Sequence, residues 1–180
     1  SNTPSFYNFM NFADFGLGTW HPKGGMYEVI KAMKNLAEEL GVVIHTNATV
    51  EQIQVTNGKA TGIICKGKVH HADKVLSGAD YQHSECLLED KYQKKVFAPS
   101  SLLFYIGFNT KLKNVEHHNL FFDTDFELHA KEIYDKPQWP TNPLFYANFP
   151  SVTDGSMAPK GCETGFFLVP IATDLEDTEA

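Results

Sequence analysis

A formal net charge of -7 over 180 residues, with all fifteen basic residues being lysine, argues against a general nucleic-acid binder and leaves no guanidinium to fork onto a carboxylate, phosphate or guanine. The 42% hydrophobic and 21% charged content is that of a globular chain of one or two domains with a real core. No run approaches the ~20 apolar residues that span a bilayer, the first residues lack a signal-peptide plan, and Cys65, Cys86 and Cys162 are too scattered for a disulfide framework or a paired zinc pattern, so a reducing compartment is the default.

In chain order, Phe6, Phe9, Met10, Ala13 and Leu17 recur at helical spacing and predict a short helix over residues 4–15, then a brief extended run through Trp20. Trp20-His21-Pro22-Lys23-Gly24-Gly25-Met26 follows, and a glycine pair at the mouth of a helix is where main-chain N–H groups approach a cofactor or substrate. From Met26 the apolar positions Val29, Ile30, Met33, Leu36, Ala37 and Leu40 mark one buried face of a helix over residues 25–40, with Gly41 as its left-handed cap. Residues 42–46 read as a strand, which makes this helix part of a crossover unit. Residues 49–55, 61–65 and 69–71 read as a β-meander that reverses at Asn57-Gly58 and Lys66-Gly67, and Asp80 as the N-cap of a short helix over residues 81–88. Glu89, Asp90, Lys91, Lys94 and Lys95 mark a solvated connector, which places a domain change near residues 80–98. Beyond Pro99, aromatic-rich strands at residues 101–108, 119–122, 144–149 and 165–170 surround a helix over residues 126–134, a pattern suited to a sheet covered on both faces or facing an apolar cavity. Ser1-Asn2 and the acidic residues 174–180 both read as cut edges of a longer polypeptide.

The glycine pair is not a phosphate loop, since neither Gly-x-Gly-x-x-Gly nor the Walker pattern occurs. Trp20 and Met26 supply apolar bulk beside it while His21 and Lys23 supply a titratable group and a cation, as on one wall of a ligand pocket; a purely structural turn is the competing reading. His70-His71 and His117-His118 lack carboxylate or cysteine partners at a metal spacing, and neighbours on a strand point to opposite faces, so no metal site is read. Cys65 alternates with Ile63 as a packed small residue, and Ser100-Ser101 lacks a nucleophile elbow. Phe104, Phe108, Phe121, Phe145 and Phe167 either fill a core or line a cavity.

Several blocks, in order, resemble a known family. These are residues 20–26 as quoted above, Leu36-Ala37-Glu38-Glu39-Leu40-Gly41-Val42, Thr46-Asn47-Ala48-Thr49-Val50-Glu51-Gln52-Ile53 and Ala72-Asp73-Lys74-Val75-Leu76-Ser77-Gly78-Ala79-Asp80. Later come Ser100-Ser101-Leu102 with Tyr105-Ile106-Gly107, His117-His118-Asn119-Leu120-Phe121-Phe122, Thr153-Asp154 with Ala158-Pro159-Lys160-Gly161-Cys162, and Leu168-Val169-Pro170. Together they resemble the middle of a bacterial phytoene desaturase, a carotenoid dehydrogenase of the FAD-dependent amine-oxidase-like flavoproteins.

The resemblance implies an α+β chain: a segment at residues 1–23 that enters the substrate domain, part of an FAD-binding domain at residues 24–81, built of a helix and β-meander, and a truncated substrate domain at residues 82–180 with a mixed, mainly antiparallel sheet and flanking helices. It implies cofactor-binding positions at Gly24, Gly25, Val50 and Ala79, the backbone of Val50 meeting the adenine of FAD. Substrate contacts are implied at Trp20, Met26, Phe104, Phe121 and Phe145, and His21 and Lys23 become candidates for catalysis. No dinucleotide motif is present, so FAD is expected in the intact enzyme and not on these residues alone. The partners expected are a long apolar polyene, the remainder of the polypeptide and a membrane surface touched peripherally from the cytoplasm. Competing readings are a non-catalytic isoprenoid-binding module, a flavin amine oxidase and a retinoid saturase.

Overall fold

The computed structural model describes residues 5, 8–88, 95 and 97–177. Pro4 and Phe6 of the first expected helix and most of the charged connector lie outside the described residues. The chain forms two compact units, residues 1–37 with 97–180, and residues 38–96.

In the first unit, helix α1 (Asn8–Phe12) runs directly into a π-helical turn (Ala13–Leu17), so Gly16 does not end the helical stretch as the sequence suggests. Helix α2 (Tyr27–Glu39) follows, with the Glu28 and Val29 amides donating to the carbonyls of Gly25 and Met26 at its start. Its apolar face is not buried: Ile30 is 56%, Met33 65% and Leu36 57% exposed, because no described segment packs over it. The unit's sheet contains β4 (Ser100–Phe108), β5 (His118–Phe121), β6 (Phe145–Asn148) and β7 (Glu163–Ile171) in the order β4-β7-β6-β5, and every described pairing is antiparallel. Between β5 and β6 lies helix α4 (Phe126–Tyr134), whose N-cap Asp125 accepts from the Glu127 amide at 2.9 Å.

Register sorts the sheet's side chains. Phe104, Phe167, Ala147 and Asn119 stand opposite one another across the four strands, and Leu103, Leu168, Tyr146 and Leu120 form the neighbouring row on the other face. Helix α4 is fixed to the sheet by His129, whose Nδ1 accepts from the Leu144 amide at 3.2 Å, so that its Nε2–H donates to the Pro170 carbonyl at 2.9 Å. Leu144, Ala147, Phe149, Ile171 and Ala172 form the buried centre.

The second unit is the meander β1 (Val50–Thr56), β2 (Lys59–Cys65) and β3 (Lys68–His71), with helix α3 (Tyr81–Leu88) beside β1. Asn57 and Gly58 both take positive φ, 51° and 74°, the type I′ turn whose twist matches the strands it joins. Asp80 caps α3 as expected, its Oδ1 accepting from the His83 amide at 3.0 Å. Residues 42–45 are not a strand. They are apolar enough to be one, but a strand exists only through a hydrogen-bonded neighbour, and none of the described residues provides it.

Candidate functional site

Among the described residues, two cavities of the first unit stand out. The polar one, about 560 Å³, is lined by Thr19, His21, Lys23, His117, His118, Thr153, Asp154 and Gly155. Its floor is held together by Asp154. One oxygen of this carboxylate accepts from the Gly24 amide at 2.7 Å, and the other from the Ser156 amide at 3.0 Å and hydroxyl at 2.6 Å. The Ser156 hydroxyl, then the Gly24 and Ser156 amides, hold the Asp154 carboxyl down to about 2, so it is an anion under all ordinary conditions.

The glycine pair is shaped by these contacts. Gly24 and Gly25 have φ of 90° and 94°, the Gly25 amide donates to the Pro22 carbonyl at 2.9 Å, and a Cβ on Gly25 would lie 3.0 Å from Met157 Sδ. The turn is therefore a tight knot tied to the 150s segment, with both amide hydrogens engaged inside the protein.

His21 faces this anion, with Nε2 at 3.8 Å from Asp154 Oδ2. That nitrogen is buried and has no hydrogen-bond partner. The His21 ring meets His117 edge-on at 4.9 Å between centroids, and His117 lies 4.5 Å from His118. Burial first, then the neighbouring His118 and His21, lowers the His117 pKa from its ordinary value of 6.5, which keeps this imidazole neutral at pH 7. Strand alternation predicts that His117 and His118 point apart, and they do not. β5 begins at His118, so the alternation rule does not reach His117.

The second cavity, about 290 Å³, is apolar and lies between α4 and the sheet, lined by residues that include Leu120, Phe122, Phe126, Ile133, Leu144, Tyr146 and Leu168. Phe121 and Phe145 stack at 4.4 Å and border it. Phe104 does not line it; it sits on β4 at the opposite edge of the sheet and is 46% exposed. Trp20 and Met26, at 86% and 65% exposed, line neither cavity. Tyr146 joins the two: its ring lines the apolar cavity, while its hydroxyl is 2.6 Å from Nδ1 of His118 in the polar one.

Val50 and Ala79 belong to the second unit. Val50 opens β1, paired with Cys65, on the outer edge of the meander, and among the described residues that edge has no further strand. Ala79 is exposed, its amide 3.4 Å from the Ser77 hydroxyl. A dinucleotide cofactor needs main-chain donors for its pyrophosphate and a backbone edge for its adenine. The amides of Gly24 and Gly25 are engaged, in keeping with a glycine pair that is not a phosphate loop; the edge at Val50, unpaired among the described residues, has the free backbone that an adenine needs. Among the described residues no group of three or more His, Cys, Asp or Glu is placed to hold a metal ion.

Sequence reading finds His21 and Lys23 together but not Asp154 or His117 as their neighbours. The only sequence signals for these partners are the Thr153-Asp154 and His117-His118 blocks, far away in the chain.

Comparison with known proteins bears on the family and the fold. Residues 1–159 match the family described as flavin containing amine oxidoreductase. The carotenoid 3,4-desaturase of Haloarcula japonica is 39% identical across 97% of this chain and 37% of its own length. The zeta-carotene-forming phytoene desaturase of Myxococcus xanthus is 34% identical across 98% of this chain and 36% of its own. The chain thus spans little more than a third of these curated relatives. Among solved structures, an oxidoreductase from Methanosarcina mazei superposes with a TM-score of 0.68 over 94% of this chain and 38% of its own, at 23% identity, a likeness of fold. With the profile covering most of its length, this chain belongs to the flavin containing amine oxidoreductase family.

Proposed function

We propose that the intact protein is an FAD-dependent carotenoid desaturase, of which residues 24–81 form part of the cofactor domain and residues 82–180 most of the substrate domain. The observation that carries this reading is the pairing of an apolar cleft with a histidine pocket in one unit, in a chain similar to named carotenoid and phytoene desaturases. Desaturation removes a hydride from an allylic carbon and a proton from its neighbour, leaving a new carbon–carbon double bond. Flavin, when bound, supplies the two-electron acceptor.

What remains for the protein is to hold a long hydrocarbon, exclude water and receive one proton. The cleft under α4 does the first two through leucine and aromatic side chains. His21 is the residue suited to the third: its free Nε2 takes the proton, and the fixed Asp154 anion 3.8 Å away stabilises the imidazolium formed. Lys23 adds positive charge at the rim of the same pocket. Val50 meets the adenine along the open edge of β1. The remainder of the polypeptide covers the bare face of α2 and supplies the pyrophosphate loop. No helix among the described residues is long and apolar enough to cross a membrane. On this reading the intact protein meets the bilayer that dissolves the polyene peripherally.

The test is alanine at His21 and at Lys23 in the intact, flavin-loaded protein. Each reduces turnover of a polyene, His21→Ala by the roughly 10²–10⁴-fold typical of a lost general base. Unchanged turnover in both variants removes the catalytic assignment.

A further inference from the structure

The hydrogen bond between Tyr146 and His118 has a direction, and a third residue sets it. The Asn148 side-chain nitrogen donates to the His117 carbonyl at 3.1 Å, which fixes which end of the amide carries the hydrogens. The same nitrogen is 3.3 Å from Nδ1 of His118. An amide nitrogen offers hydrogens and no lone pair, so Nδ1 is an acceptor and the His118 proton sits on Nε2. The Tyr146 hydroxyl, 2.6 Å from that same Nδ1, therefore gives its hydrogen to His118. What the phenol presents to everything else is oxygen lone pairs.

We propose that Tyr146 is an end-group selector: the apolar cleft takes the methyl-branched terminus of a long isoprenoid, and a hydroxyl on that terminus donates to the Tyr146 oxygen. The ring of Tyr146 lies among Leu120, Leu144 and Leu168, where a branched hydrocarbon end packs, and its oxygen lies on the side of the histidine pocket, where a polar group belongs. A carbonyl end brings lone pairs toward lone pairs and is disfavoured. A plain hydrocarbon end leaves only an acceptor unpaired, since the phenol hydrogen is already placed on His118. Discrimination between hydroxylated and hydrocarbon ends is therefore about tenfold, as for one neutral hydrogen bond. This assignment rests on the polyene reading above and adds the end group.

The experiment uses the intact, flavin-loaded protein with an acyclic carotenoid alcohol, its hydrocarbon parent and the matching aldehyde. Binding is read from the shift in polyene absorption, and turnover from kcat/KM. The alcohol is preferred about tenfold over the hydrocarbon, and Tyr146→Phe brings that ratio close to one. His118→Ala, at an exposed position that tolerates truncation, frees the phenol hydrogen and raises the preference for the aldehyde relative to the alcohol. Equal ratios in the wild type and both variants overturn the selector while polyene oxidation leaves the desaturase reading intact. An alcohol held through Tyr146 but never oxidised supports the selector and overturns the desaturase reading. A protein that binds none of the three overturns both.

Discussion

In the unit that holds β4 to β7, Leu144, Ala147, Phe149, Ile171 and Ala172 are buried together with His129, Glu132, Ser151 and Glu163; in the meander unit, among the described residues, burial of that degree is reached by Ile53, Gly62 and Cys65. The polar members of the first set are all satisfied from within. Glu132 accepts from the Thr141 hydroxyl at 2.7 Å, the Thr141 amide at 3.1 Å and the Gln138 amide at 2.8 Å, and these bonds hold its carboxyl below its ordinary pKa. Glu163 accepts from Ser151 and from Lys111 at 3.2 Å. A buried carboxylate is tolerated only where such donors are permanent, so this unit carries the marks of a self-sufficient core. The meander, the face of α2 and strand β4, where Leu102 to Ile106 are each at least 37% exposed, carry apolar surface that no described segment covers. The difference separates what these residues stabilise alone from what needs the rest of a polypeptide.

The largest expected effect probes the first unit. Phe149 is 3% exposed, and Phe149→Ala costs about 3–5 kcal/mol in urea unfolding. A loss no larger than that of a surface substitution would break the contrast between a packed and an open region.

Gly25→Ala comes next. Its positive φ and the Met157 sulfur at 3.0 Å from the added carbon place the cost at about 1–3 kcal/mol, read in the same way. A neutral outcome would mean that the glycine turn is not knotted to the 150s segment.

Acid titration separates the groups of the polar cavity. Asp154 has a folded pKa of about 2 against an ordinary 3.8, so its contribution is fully present above the ordinary value and is lost as pH falls from there through about 2. His117 is also depressed below 6.5, so the folded state takes up its proton later than the unfolded chain does. Its share is present above 6.5 and declines as pH falls below that value. Urea midpoints followed against pH show both declines, and Asp154→Asn and His117→Asn each remove their own.

The smallest effect sharpens the comparison most. Met33 is 65% exposed, so Met33→Ser changes the stability of residues 1–180 by no more than about 0.5 kcal/mol. In the intact protein, where the bare face of α2 is covered on the proposed reading, the same substitution costs about 1 kcal/mol or more.

The residues themselves disclosed elements more readily than neighbourhoods. The meander follows from Asn57-Gly58 and Lys66-Gly67, and α3 from the cap residue Asp80, because turn and cap chemistry is local. Residues 42–46 read as a strand and form none, and the apolar face of α2 reads as buried and is not, because pairing and burial depend on a second segment, which local pattern does not supply. The site divides in the same way. His21 and Lys23 are legible from their place before the glycine pair, whereas Asp154 reaches Gly24 across 130 residues and Tyr146 reaches His118 across 28. The family resemblance orders these blocks along the chain but assigns Asp154, His117 and Tyr146 no role, because the order of blocks does not encode which of them meet in space.

The most direct test mixes the intact, flavin-loaded protein anaerobically with an acyclic polyene and follows flavin bleaching and polyene absorption together. The account predicts that each equivalent of flavin reduced is matched by one new conjugated double bond, seen as a red shift of the polyene. Flavin that stays oxidised while the polyene is bound in the cleft would contradict it.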